Sequence, residues 1–191
     1  MSSILLSGPA AEPITLAEAK TYLRIDHDDE DGEITALIAA ARAQIENATR
    51  RALITQSWRV TRDCWPVDGR LVLMPAPAQA LTAARIVRLD NSAQGIDVSL
   101  FTLDKAAAPA VLGFSPGTLP LSDRPLAGIE IDFSAGYGDA AEDVPAPLRQ
   151  AIKLLLAHWY ENRGVVAIGH ETAPLPQTVA ALIAPYRVLA L

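Results

Sequence analysis

Residues 154–164, LLLAHWYENRG, set His158, Trp159, Tyr160, Glu161, Asn162 and Arg163 side by side. Such side chains serve as general acids, general bases and metal ligands. On a helix His158 and Glu161 stand three apart and share a face, so a His-x-x-Glu pair could hold a metal together with His170 or Glu171. No spacing supplies a fixed third ligand. On the same helical wheel Leu148, Ile152, Leu155, Leu156 and Trp159 form one apolar face, which makes Trp159 a core residue. Leu154, His158 and Glu161 fall at i, i+4 and i+7 on a different face. A leucine beside a histidine and a glutamate on an outward stripe suits a contact surface better than a reaction centre. Asn162, Arg163 and Gly164 suit a helix C-terminus.

Other chemistry-bearing stretches fail on mechanism. Gly113-Phe114-Ser115-Pro116-Gly117 matches the G-x-S-x-G pattern of serine hydrolases. A nucleophile elbow uses the backbone N–H after the serine in its oxyanion hole, and Pro116 has none. It is a turn. The acidic run 26–33, DHDDEDGE, invites calcium, but placing Gly32 sixth in an EF-hand loop puts His27 first and Ile38 twelfth. A solvated loop before a helix is the simpler assignment. Gly136 and Gly138 form a lone G-x-G beside Asp139, Glu142 and Asp143, whose charges would repel a phosphate; the glycines instead supply backbone angles for leaving a sheet. The single cysteine, Cys64, excludes an intrachain disulfide and a Cys-rich zinc site. The alternation around it predicts a small buried thiol. No catalytic residue, cofactor or metal is expected.

The elements that position these residues run helices, strands, helices. Thr15-Leu16-Ala17-Glu18 is a capping box opening a short helix to about Arg24. A long helix follows over 32–51, with Ile34, Leu37, Ile38, Ala41, Ile45 and Ala48 on one face and Arg50 and Arg51 at the end. Behind that face lie Ala36, Ala39, Ala40 and Ala43, small enough for another helix to approach closely. From 56 to 134 the period becomes that of strands: WRVTRDCW, RLVLMP, ARIVRLD and GIEIDFSAG, separated by turns. Ile129, Ile131 and Phe133 share one side, Glu130 and Asp132 the other, and antiparallel hairpins connect such strands most simply. Pro147 and Gly164 bracket the next long helix. A last helix runs from about Gln177 until Pro185. The fold class is α+β: a bundle of about four helices with an inserted antiparallel β-hairpin subdomain.

Half of the 191 residues are apolar and a fifth are charged, so the chain folds. Its net charge of −6 excludes a broad phosphate-gripping face. The N-terminus lacks the basic region of a signal peptide, and the apolar run near 151–159 is too short and too charged to span a bilayer. A soluble, cytoplasmic protein without a membrane partner is expected.

Four pieces in order resemble a known family: ITLAEAKTYLRID (14–26), ITALIAAARAQIENATRRALITQSW (34–58), IEIDFSAGYGDAAEDVPAPLRQAIKLLLAHWYENRG (129–164) and LPQTVAALIAPYRV (175–188). The chain is similar to the head–tail connector, or adaptor, proteins of long-tailed phages and phage-like gene transfer particles. The resemblance implies one connector domain, 1–191, with N-terminal helices over 14–55, a β-rich insertion over 56–134, a long helix over 145–164 and a C-terminal helix and tail over 175–191. It implies a virion-neck protein, assembled in the host cytoplasm as a homo-oligomeric ring of about a dozen subunits beneath the portal protein. Such a ring docks the next tail-side connector or stopper protein, and DNA passes through its lumen without specific binding. The family has no catalytic residues to carry over. Leu154, His158, Glu161, Ala36, Ala40 and Ala43 are the candidates for subunit contact. In such connectors the C-terminal segment engages the portal, so the resemblance implies that the apolar C-terminus makes this contact through Ile183, Tyr186, Arg187, Val188, Leu189 and Leu191, with Pro185 freeing the tail from its own subunit. Two rival readings are a small metal-dependent hydrolase using His158, Glu161 and His170, and a cytoplasmic ring or regulatory protein sharing only the fold.

Overall fold

Thr15 and Glu18 do what their spacing dictates. In a computed structural model describing residues 2–162 and 175–189, the Thr15 hydroxyl accepts from the Glu18 amide at 3.1 Å and Glu18 accepts from the Thr15 amide at 2.9 Å. This reciprocal pair opens helix α1, Leu16–Leu23, which Arg24 ends in a left-handed conformation with φ 61°. Helix α2 is Asp31–Thr49, helix α3 Ala146–Glu161, and helix α4 Gln177–Ile183, continued by a 3₁₀ turn Ala184–Tyr186. The long helix thus ends before Arg50 and Arg51, and Pro185 tightens the last turn instead of ending the structure.

Eight strands complete the described residues: β1 Ser2–Ser7, β2 Gln56–Arg62, β3 Arg70–Leu73, β4 Ala78–Val87, β5 Ala93–Ile96, β6 Phe101–Asp104, β7 Ala110–Phe114 and β8 Ile129–Ala135. They form an antiparallel five-stranded sheet in the order β1-β2-β8-β4-β5 and an antiparallel three-stranded sheet in the order β3-β7-β6. The fold class is therefore α+β. Hairpins between consecutive strands account for β4–β5 and β6–β7 only; β8, made last, occupies the middle of the larger sheet. Strand β1 has no counterpart among the sequence expectations, because its short run, Ser2–Ser7, shows no clear period.

Two units emerge. The first comprises 1–10 and 50–137, the second 11–49 and 138–191. In the first, period-two burial brings Val60, Ile131, Phe133, Ala84 and Ile86 into one core with Leu71, Leu73, Ala110 and Leu112. Trp65 closes that core against Phe101 and Phe114, with ring centroids 5.9 and 5.1 Å away, and its indole N–H donates to the Pro120 carbonyl at 2.9 Å. In the second, α2 buries Ile34, Ile38, Ala41 and Ile45, α3 buries Leu148, Ala151, Ile152, Leu155 and Leu156, and α4 adds Val179 and Ile183. Truncating a buried leucine or isoleucine of this kind to alanine costs about 2–5 kcal/mol.

Two side chains depart from expectation. Cys64 is exposed, because β2 stops at Arg62 and the alternation ends before it. Trp159 is only partly buried: it stands one turn beyond Leu155 and Leu156, where the apolar stripe of α3 runs out near the helix end.

Candidate docking and ring-contact surfaces

The outward stripe of α3 takes shape from its helical period. With Leu148, Ile152 and Leu155 buried, Gln150, His158 and Glu161 are exposed and Leu154 is half-buried. The helix end is a cap: the Asn162 amide N–H donates to the His158 carbonyl at 3.1 Å and its side-chain Nδ2 donates to the same oxygen at 2.8 Å. Tyr160 donates its hydroxyl proton to Glu30 in the acidic loop. Of the six chemistry-bearing residues, the structure thus assigns Asn162 to capping and Tyr160 to anchoring. Arg163, Gly164 and the rival metal ligands His170 and Glu171 lie outside the described residues. Among the described residues no three His, Cys, Asp or Glu side chains are grouped to hold a metal ion.

The acidic loop carries its own counter-charge. Lys20 Nζ reaches Asp28 Oδ1 at 2.5 Å and Asp31 Oδ1 at 2.7 Å. Hydrogen bonds to these two carboxylates hold the lysine above its ordinary pKa, and the hydrogen bond from Lys20 holds Asp28 below the usual carboxylate range. Lys20 was overlooked in the sequence because it precedes the acidic run by a full loop; its position one turn from the end of α1 was the available signal. Glu18, besides capping α1, accepts from Arg149 of α3 at 2.7 Å and faces Lys153 at 3.5 Å. Ser115, for its part, sits in a turn whose Thr118 amide donates back to its carbonyl at 3.4 Å.

A shallow, mostly apolar groove of about 340 Å³ lies between α1 and α3, lined by Ala17, Glu18, Thr21, Tyr22 and Lys153. On α2, Ala36 and Ala40 are exposed and Ala43 is half-buried, opposite the buried Ile34, Ile38, Ala41 and Ile45.

The C-terminal candidates divide. Ile183 and Val188 are 2% and 6% exposed, and the Val188 amide donates to the Thr49 carbonyl at 3.0 Å. These two belong to the core of their own unit, which corrects the expectation that the tail departs at Pro185. The 3₁₀ turn folds the chain back onto the end of α2 and delivers Val188 there. Leu189 is 80% exposed, Arg187 is exposed and Tyr186 is half-buried. Leu191 lies outside the described residues.

In the sheet unit, Arg59 and Arg85 flank the carboxylates of Glu130 and Asp132. Arg59 Nε and Nη2 meet Asp132 at 2.6 and 2.9 Å, Arg59 Nη1 meets Glu130 at 3.0 Å, and Arg85 Nε meets Glu130 at 2.7 Å; Arg85 also bonds Asp132. Burial pushes the Asp132 carboxyl up, but the two guanidiniums outweigh it and hold it below the usual range. The strand alternation identified the polar face of β8; its partners required the register of β2 and β4. At the exit of β8, Gly136 has φ 146°, and a Cβ there would stand 2.6 Å from the Thr55 nitrogen.

Comparison with known proteins bears on the family and the fold. Residues 13–83 match the family of phage gp6-like head-tail connector proteins. The whole fold is similar to a chain in the neck of an empty GTA particle computed with C6 symmetry, with TM-score 0.85, 27% identity, and 100% of this chain and 97% of that chain covered. A chain in the virion of a native gene transfer agent (GTA) particle gives 0.83 and 27%, over 100% and 97%. One in the neck of a native GTA particle computed with C12 symmetry gives 0.74 and 26%, over 98% and 97%. The resemblance to head–tail connector proteins therefore holds on two counts, a family sequence pattern and a whole-chain fold. No curated protein sequence matches the chain.

Proposed function

We propose that the protein is a structural, non-enzymatic head–tail connector of a phage-like particle, with its four helices as a bundle and the β-rich segment as an inserted module. It forms a homo-oligomeric ring beneath the portal protein, continues the DNA channel and docks the next tail-side connector or stopper. The single observation that carries this proposal is the likeness over essentially the whole of both chains to neck subunits of gene transfer agent particles. The net charge of −6 supports a lumen through which DNA slides without adhering. The exposed stripe of α3 and the alanine ridge of α2 are its subunit contacts. Arg187, Leu189 and Leu191 contact the portal, with Tyr186 at the margin; Ile183 and Val188 support that segment from inside. Assembly takes place in the producing cell's cytoplasm.

Electron microscopy of the purified protein, alone and mixed with portal, tests this directly. Rings, free or seated on the portal, are expected. A metal-responsive hydrolase activity abolished by Glu161→Gln, with no ring in either sample, would overturn it.

A further inference from the structure

The helical unit presents two surfaces of different shape, a ridge on α2 and a groove between α1 and α3. On α2 the residues Ala36, Ala40 and Ala43 form a ridge with no atoms beyond Cβ, diametrically across the helix from Ile34, Ile38, Ala41 and Ile45. Those buried residues seat α2 against its neighbours α1 and α3, so the ridge points away from both. The groove between α1 and α3 is walled on the α3 side by half-buried Lys153, beside the buried Ile152 and Leu156. Tyr22, 37% exposed, stands at its wall, and Gln150 reaches the Tyr22 hydroxyl at 3.4 Å across it.

We propose that the α1–α3 groove receives the α2 alanine ridge of a second copy of this chain, and that repetition of this one contact closes the ring. The inference rests on the ring assembly proposed above and goes further by naming which surface meets which. Three features select this occupant. A ring needs two different patches facing opposite ways on each subunit, since a patch that pairs with itself stops at a dimer. A ridge of alanines lets two helix axes approach closely, and an open, mostly apolar trough is the shape such a ridge fills. The similar neck structures have six- and twelve-fold symmetry, so that like chains repeat around an axis.

The test uses the full chain with Cys64→Ser, which removes the exposed thiol. Thr21→Cys and Ala40→Cys are introduced together and separately, and a short bis-maleimide is added to the assembled protein, with portal where rings require it. The double variant is expected to give a ladder of cross-linked oligomers, and each single variant none. Ala40→Trp is expected to abolish assembly and Ala40→Ser to preserve it, with circular dichroism and thermal melting unchanged in both. Cross-linked dimers from either single variant would mean that like surfaces meet and would overturn the pairing. Rings that form normally with Ala40→Trp, or without cross-links in the double variant, would overturn the pairing while leaving the connector function standing. If no rings form even with portal, the connector function falls; a cross-linked ladder would then still support the pairing, and its absence would remove both.

Discussion

Arg59 grips the carboxylate of Asp132 with two hydrogen bonds, at 2.6 and 2.9 Å, across a sequence separation of 73 residues. Arg85 approaches the same carboxylate from the opposite strand. Because Asp132 is largely buried, Asp132→Asn leaves two guanidiniums short of charge and should cost about 2 kcal/mol at neutral pH. A carboxylate with a depressed folded pKa stabilises the fold above its unfolded pKa of about 3.9, and that contribution is lost as pH falls through the folded value. Denaturant melts should therefore show wild type and Asp132→Asn far apart at neutral pH and converging in strong acid. A gap that stays constant across the acid range would remove the charge-based account.

The reciprocal hydrogen bonds of Thr15 and Glu18 predict a second effect. Thr15→Ala removes the acceptor for the Glu18 amide and should destabilise the protein by about 1 kcal/mol. Glu18→Gln keeps the cap shape but weakens the link to Arg149. Thermal melts of the two variants separate the capping role from the interhelical one.

Leu154 tests the outward stripe. It is only half-buried in the isolated chain, so Leu154→Asp should leave a folded monomer while weakening ring formation, because an unpaired charge is costly inside an interface and cheap in water. Sedimentation of the variant, beside its circular dichroism, gives the answer. Unaltered assembly would return the stripe to solvent.

Two truncations divide the C-terminus. Removing everything after Val188 deletes exposed Leu189 but keeps the buried valine and its bond to Thr49, so the protein should melt normally and fail to join filled heads. Removing Val188 as well should lower stability by about 2 kcal/mol through lost apolar burial. Identical melting of the two truncations would contradict the place assigned to Val188.

Gly136 supplies a further prediction. Its φ of 146° and the 2.6 Å approach of Thr55 leave no room for a methyl group. Gly136→Ala should cost about 2–3 kcal/mol, read by denaturant titration.

The helices were legible from local signals: the Thr15–Glu18 box, the isoleucine face of α2, and the proline-led start of α3. Each depends on residues within one or two turns, which the linear order preserves. The sheet was less legible because pairing joins distant segments. Arg85 and Glu130 declare themselves only when the register sets β4 beside β8. Val188 misled for a related reason, since a leucine- and valine-rich terminus looks the same whether it packs on its own helix or on a partner. Exposure was misjudged at Cys64 because alternation says nothing about where a strand stops. The stripes proposed as contact surfaces were visible from the helical period, whereas the α1–α3 groove needed the packing of two helices separated by the whole β-rich segment.

The position of β8 sets an order of events during synthesis. It is the middle strand of the larger sheet and the last of the eight to leave the ribosome. Until residue 135 is free, β2 and β4 lack their common partner, and the ion cluster between them has its cations but not its anions. Contacts this distant in sequence form slowly, because a long loop must close before any pairing is gained. A nascent chain arrested before residue 129 is accordingly expected to be cut readily by protease between residues 56 and 87. One arrested after residue 180 should resist there. The sheet unit thus matures only once the chain has been made past residue 135 of its 191.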